Sequence, residues 1–270
     1  TTNEILAKVR DAYPDKKPRG LTIKADTNAS VVVNFGREGG IVYVNPYTGD
    51  MLGGDSSAAS FMKGVESWHR WFALEGPYKT FGQNVKNVCN LIFLFMIVSG
   101  FYLWWPRNWQ WGAIKKIVFI NSSLRDKARD WNKHNVIGFW CAPVLIVISL
   151  TGVIMSYPSV LYKMVGEQAP APMAKGKDTL MVSIEEPAQW FMHPRSQLTL
   201  NAATGETIKW EPASEQSTGK QLKTLARFLH TGEGLGCWGQ LAACIATFGA
   251  IMLVWTGFAM AWHRFIKFKA

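Results

Sequence analysis

Five histidines carry the chemistry open to this sequence, and four of them fall at the ends of long apolar stretches. His69 sits in Ser67-Trp68-His69-Arg70 and His230 in Phe228-Leu229-His230-Thr231, each shortly before such a stretch. His134 opens the middle stretch and His263 closes the last. The pattern therefore puts two imidazoles at each side of an apolar layer. Ionisable side chains at that depth are costly, so they default to a functional reading. Two neutral imidazoles on neighbouring helices suit the two axial positions of a haem iron. Zinc would call for three or four ligands, and no third His, Cys or carboxylate stands at ligand spacing. Count alone leaves copper open. A single interfacial His would serve as a headgroup anchor, and a matched pair on one face favours haem. His193, in Phe-Met-His-Pro-Arg, has no counterpart and reads as a loop residue.

The elements that position these residues are set by charge. Between Lys86 and Arg107 lie 20 residues without a charge, between Lys133 and Lys163 lie 29, and between Glu233 and Arg264 lie 30. About 20 apolar helical residues cross a ~30 Å hydrocarbon core, so each run is long enough to span a membrane. The whole chain of 270 residues is 48% hydrophobic and only 18% charged, which excludes a disordered chain and disfavours a uniformly soluble one. Its four Cys form no CxxC pair, which excludes a disulfide-dense scaffold and a zinc ribbon. Cys89, Cys141 and Cys244 read as small hydrophobes in the spans, and Cys237 falls near a span end.

The formal net charge of +10 is concentrated in the 107–133 loop and after Arg264. Lys and Arg flanking the spans mark the cytoplasmic side, so the larger polar segments are expected outside. That distribution makes the charge a topology signal and removes the case for nucleic-acid binding. Trp104, Trp105, Trp109, Trp111 and Trp262 fit an interfacial aromatic belt. Trp140 and Trp255 fall within spans, where packing is the plain reading. Pro143 falls inside the middle span, where a kink is expected.

The chain also reads as an internal duplication. Asn45-Pro-Tyr-Thr48-Gly49-Asp50 matches Asn201-Ala-Ala-Thr204-Gly205-Glu206, each after a β-rich run and each a turn with Gly at positive φ. Gly82-Gln83, Gly100-Phe101, Trp105 and Arg107 match Gly239-Gln240, Gly257-Phe258, Trp262 and Arg264 at the same offsets. The repeating unit is a polar β-containing module, a His-bearing segment and a membrane helix. His263 lies outside the match, since Pro106 takes its place. A complete duplication calls for a further membrane helix before residue 1, whose own His would be an alternative partner for His134. Gly76, Gly232, Gly234, Gly236 and Gly239 gather near His69 and His230, where a flat macrocycle would need clearance.

The expected architecture is thus a membrane all-α helical bundle, with three spans in this sequence and four in the full protein, carrying two small α+β modules. The expected divisions are a polar module over 1–66, a His-bearing segment and helix over 67–106 and a basic cytoplasmic loop over 107–133. A membrane helix follows over 134–158, a second and shorter module over 159–227, a second His-bearing segment and helix over 228–264, and a tail over 265–270.

The stretches Asn45-Pro-Tyr-Thr-Gly-Asp, Trp68-His69-Arg70-Trp71, Ser99-Gly-Phe-Tyr-Leu-Trp-Trp105-Pro106-Arg107, Thr151-Gly152 and Leu229-His230-Thr231-Gly232-Glu233 resemble those of the PepSY-associated transmembrane proteins. Within that family the resemblance extends to the FoxB-type inner-membrane ferric-siderophore reductases. It implies PepSY-like periplasmic modules, four membrane helices and b-type haem at both sides of a bacterial inner membrane. It implies electron transfer outward to iron held by a periplasmic siderophore. His69, His230 and His134 fall on the family's His positions, and His263 is the weaker correspondence. No GxGxxG follows a strand, so electrons are expected from a partner, cytoplasmic or in the membrane. The competing classes are a haem electron-transfer subunit without a siderophore substrate, a non-catalytic PepSY scaffold, and a transporter. Few polar residues within the spans argue against the last.

Overall fold

The computed structural model describes residues 2–36, 39–106, 108–170, 179–187, 194–202 and 204–266. His193 and Arg107 lie outside the described residues. In chain order the elements are α1 (Thr2–Ala12), β1 (Gly20–Ile23), β2 (Val31–Asn34), β3 (Ile41–Val44), β4 (Met51–Gly53), α2 (Ser57–Trp71), α3 (Tyr78–Trp104), α4 (Trp111–Val118), α5 (Asp126–Ser156), α6 (Pro158–Met164), β5 (Thr179–Glu185), β6 (Arg195–Asn201), β7 (Thr207–Glu211), α7 (Thr218–Thr231) and α8 (Gly236–Ile266). They form two compact units, Thr1–Gln83 with Tyr162–Thr224, and Asn84–Leu161 with Leu225–Ala270.

The first unit is built on one mixed sheet of seven strands in the order β4-β3-β2-β1-β5-β6-β7. The two polar segments thus share a sheet instead of forming one each. They join where β1 pairs parallel with β5, Leu21 opposite Val182; neighbours on either side pair antiparallel. Strand alternation places the core. Val31 and Val33 of β2 and Val42 and Val44 of β3 are buried while their neighbours turn outward. Ile5, Leu6 and Val9, on one face of α1, pack on that surface together with Leu180 and Val182 of β5. The helix therefore covers strands from both polar segments.

The two matched turns have the same hydrogen bonds. Gly49 N donates to Asn45 O and Gly205 N to Asn201 O, both at 2.9 Å. Thr48 Oγ1 donates to Asp50 Oδ2 at 2.6 Å, and Thr204 Oγ1 to Glu206 Oε2 at 3.2 Å. Gly49 and Gly205 have φ of 74° and 76°, the left-handed region that favours glycine. The turn reading of both sequences holds.

The second unit contains the apolar helices. α3, α5 and the segment Glu233–Phe265 are each long and apolar enough to cross a membrane. α5 and α8 pack around Cys141, Leu145 and Ala246, with Ile137, Ala250 and Leu253 beside them. The close approach depends on Gly249, where a Cβ would overlap Cys141 Sγ. α5 runs unbroken through Pro143. Phe95, Phe248 and Trp255 are exposed, the outward apolar surface a lipid-facing helix requires. Trp140 donates its indole N–H to Val118 O at 3.0 Å, tying α5 to the end of α4. Asn132, buried near the start of α5, holds the same loop through Lys116 O at 3.0 Å and Asn121 N at 2.8 Å.

Leu21 is 1% exposed at the junction of the two halves of the sheet. Leu21→Ala should cost about 2–5 kcal/mol, seen as a lower thermal midpoint of the detergent-solubilised protein.

Candidate functional site

His134 enters the site from the third turn of α5. Its Nδ1 lies 2.8 Å from Thr256 Oγ1 on α8. Thr256 is itself buried, and its hydroxyl donates back along its own helix to Met252 O at 2.8 Å. A threonine hydroxyl has one proton. With that proton directed along its own helix, Thr256 Oγ1 is free to accept from the ring, the arrangement in which Nδ1 carries the imidazole hydrogen. The other nitrogen, Nε2, then has a free lone pair, the state a metal-ligating histidine needs.

Beside His134 is a half-open cavity of about 440 Å³ lined by α3, α5 and α8. Its walls are almost wholly apolar: Phe93, Phe101, Phe139 and Phe258 with Leu145 and Leu253. Gly100, Gly138 and Gly257 keep three sides of it open, one from each helix. Volume and lining match a small-molecule site in which a few polar groups fix orientation. Trp104 also lines it, stacked on Phe139 at 4.3 Å between ring centroids. The Trp104 indole N–H is buried with no acceptor among the described residues. An orphan donor at an apolar cavity is a costly arrangement that an acidic group on a ligand would relieve. A flat apolar macrocycle with carboxylate substituents would fit these residues, with His134 to hold it and the Trp104 indole to meet a carboxylate.

The second imidazole of this unit, His230, ends α7. Its Nδ1 lies 2.9 Å from Ile148 O and 3.3 Å from Thr151 Oγ1, both on α5. A carbonyl only accepts, so Nδ1 again carries the hydrogen. Burial pushes the His230 imidazole below its ordinary value, opposed by the Ile148 carbonyl and aided by Lys86, so the ring is neutral near pH 7. From His134 to Thr151, α5 rises about 25 Å at ~1.5 Å per residue. The two rings are thus held near opposite ends of one helix. Around His230, Lys86 Nζ reaches Ser156 Oγ at 2.9 Å and Asn90 Nδ2 reaches Ser149 O at 3.2 Å.

His69 is exposed on α2 in the first unit. His263 is exposed in the last turn of α8 and does not line the cavity that holds His134. Two of the four expected ligands, His134 and His230, are thus oriented by neighbouring helices. The glycines near His230 prove to have another use. Gly232 and Gly239 pack backbone to backbone, and Gly232 and Gly236 take positive φ in the turn that joins α7 to α8. They close a tight connection, and at Gly232 and Gly239 the space of the missing Cβ atoms is taken by backbone. Cys89, Cys237 and Cys244 are exposed and Cys141 is buried.

Spacing did not single out Thr256 or Trp104 as site residues. The available signal was the dipeptide Thr-Gly, which occurs at 151–152 and again at 256–257, beside the glycine that the repeat offsets had marked.

The chain belongs to the family described as the PepSY-associated TM region, whose model matches residues 2–264. No curated protein matches it. It is accordingly a membrane protein with an α+β part.

Gly138 offers the test of the cavity, because a Cβ there meets only Leu253 Cδ2, at 3.7 Å, and a longer side chain would enter the open space. Overfilling a packed site costs ~1–3 kcal/mol. Gly138→Leu should therefore weaken binding of metal-free protoporphyrin IX about tenfold, followed by quenching of Trp fluorescence in detergent. Gly112→Leu, which adds its side chain where nothing lies within 4 Å, should leave that binding unchanged.

Proposed function

We propose that this member of the PepSY-associated transmembrane family is a b-type haem oxidoreductase of the bacterial inner membrane. It passes electrons from the cytoplasmic side to the periplasm, where they reduce Fe(III) held by a siderophore. The observation that carries the reading is His134 beside a ligand-sized apolar cavity between three membrane helices, with its Nδ1 2.8 Å from Thr256 Oγ1. Haem, when bound, supplies one-electron oxidation and reduction.

The chain's own residues supply position and environment. His134 and its cavity serve the cytoplasmic site, with His263 or a histidine of another segment as second ligand. His230 serves the periplasmic site, and two haems divide the ~30 Å hydrocarbon core into shorter transfers. The apolar walls exclude water, and the Trp104 indole orients an acidic substituent of the bound group. No nucleotide fingerprint is present, so the electrons come from a cytoplasmic or membrane-bound donor.

The substrate's chemistry fits a one-electron reaction. Fe(III) gains one electron and leaves as Fe(II), and the freed hydroxamate oxygens take up protons from water. The anionic oxygens hold a doubly charged ion less tightly than a triply charged one.

The test is a reduced-minus-oxidised absorbance spectrum of the detergent-purified full-length protein. A bis-His b-type spectrum at about two haems per chain is expected, with dithionite-reduced protein reoxidised by added ferric siderophore. His134→Ala should lose about half of the haem. Reoxidation by quinone and by no siderophore would point to an electron-transfer subunit. Haem-free protein from iron-replete cells would overturn the reading in favour of a scaffold.

A further inference from the structure

We propose that Thr256-Gly257 and Thr151-Gly152 are two copies of one imidazole seat, positioning His134 and His230 so that each presents an unprotonated Nε2 to iron. The inference rests on the haem reading for its last step only.

In each copy a threonine within a membrane helix spends its hydroxyl proton on its own backbone. Thr256 Oγ1 donates to Met252 O at 2.8 Å and Thr151 Oγ1 to Val147 O at 2.7 Å. This back-bond is a common way to satisfy a hydroxyl inside a helix. It turns the oxygen lone pairs outward, toward a ring from another helix: His134 Nδ1 at 2.8 Å, His230 Nδ1 at 3.3 Å. At His230 the carbonyl three residues before the threonine takes part as well: Ile148 O accepts from Nδ1 at 2.9 Å. The back-bonded hydroxyl oxygen in each copy, and this carbonyl in one, are acceptors for Nδ1.

The glycine that follows supplies the room. A Cβ on Gly152 would stand 3.3 Å from His230 Cε1, and one on Gly257 would stand 3.8 Å from His134 Cε1. The first is too close for an undisturbed ring; the second is a van der Waals contact that any longer side chain would turn into a clash. Three helices share the two seats. α5 contributes a ring at one end and a seat at the other, α8 contributes the seat for the ring of α5, and α7 contributes the ring that α5 seats.

Such partners orient a ligating histidine and raise its basicity, and losing one typically weakens metal binding ~10–100-fold. The roles are positioning roles, so the readout has to report on the ring. The experiment uses full-length protein labelled with ¹⁵N at histidine, purified in detergent with and without haem. Long-range ¹H–¹⁵N spectra of the haem-free form distinguish the Nδ1–H from the Nε2–H tautomer. His134 and His230 are expected as Nδ1–H. Thr256→Val keeps the shape and removes the acceptor: it should give His134 mixed tautomers, weaken one haem about 10–100-fold and raise the midpoint potential of that haem. Thr256→Ser should restore all three. Gly152→Ala should disturb the His230 signals and leave those of His134 in place.

Unchanged tautomers in Thr256→Val, or equal effects of Thr256→Val and Thr256→Ser, would overturn the seat whatever the haem content. Wild-type protein with the expected tautomers that takes up no haem would overturn the haem reading, and with it the seat's role toward iron. Haem binding with a midpoint potential indifferent to Thr256→Val would overturn the positioning role and leave the haem reading standing.

Discussion

A polar group placed between apolar helices is costly unless its hydrogens find partners elsewhere in the protein, since hydrocarbon offers none. Thr256 and Thr151 meet that demand within their own helices, and doing so leaves each with an oxygen that can only accept. The two imidazoles that reach them are fixed by the same demand. His230 Nδ1 donates to the Ile148 carbonyl, and the back-bonded Thr256 oxygen offers His134 Nδ1 an acceptor in turn. In this arrangement bonds made within one helix set the role of a ring that reaches it from another.

Close helix packing is what allows these bonds to form. Gly249 lets α8 approach Cys141 of α5, and that approach carries Thr256 to His134. Where the helices instead stand apart, the glycines Gly100, Gly138 and Gly257 leave the cavity that His134 borders. Glycine therefore has opposite uses on the same pair of helices, contact at one level and space at another. A third use appears between α7 and α8, where Gly232 and Gly236 serve backbone conformation. Composition cannot separate these three, because each depends on what faces the missing Cβ.

Much of the architecture was legible from local signals. The charge-free runs marked the three spans because hydrocarbon tolerates no unpaired charge over ~30 Å. The Asn-x-x-Thr-Gly-acid turns were legible because every bond in them lies within a few residues. The sheet was less so. Its central pairing, Leu21 with Val182, joins residues far apart in sequence, and a strand's pattern of apolar residues names its buried face without naming its neighbour. Two modules expected to stand separately therefore share a sheet.

The site divides in the same way. His134, His230, His69 and His263 were conspicuous because charge-capable residues are rare at the ends of apolar runs, and sequence alone determined that much. Which of them are held, and by what, was decided by tertiary structure. The partner of His134 is Thr256, on a helix more than a hundred residues further along the chain, and no periodicity within either helix encodes the pair. The orphaned Trp104 indole reads as one belt tryptophan among several until the cavity beside it is seen. Hydropathy is a property of single residues and their near neighbours, so sequence fixes depth in the membrane. Hydrogen bonds and cavities are properties of pairs brought together by folding, so only the packed helices determine which ring is presented to a ligand.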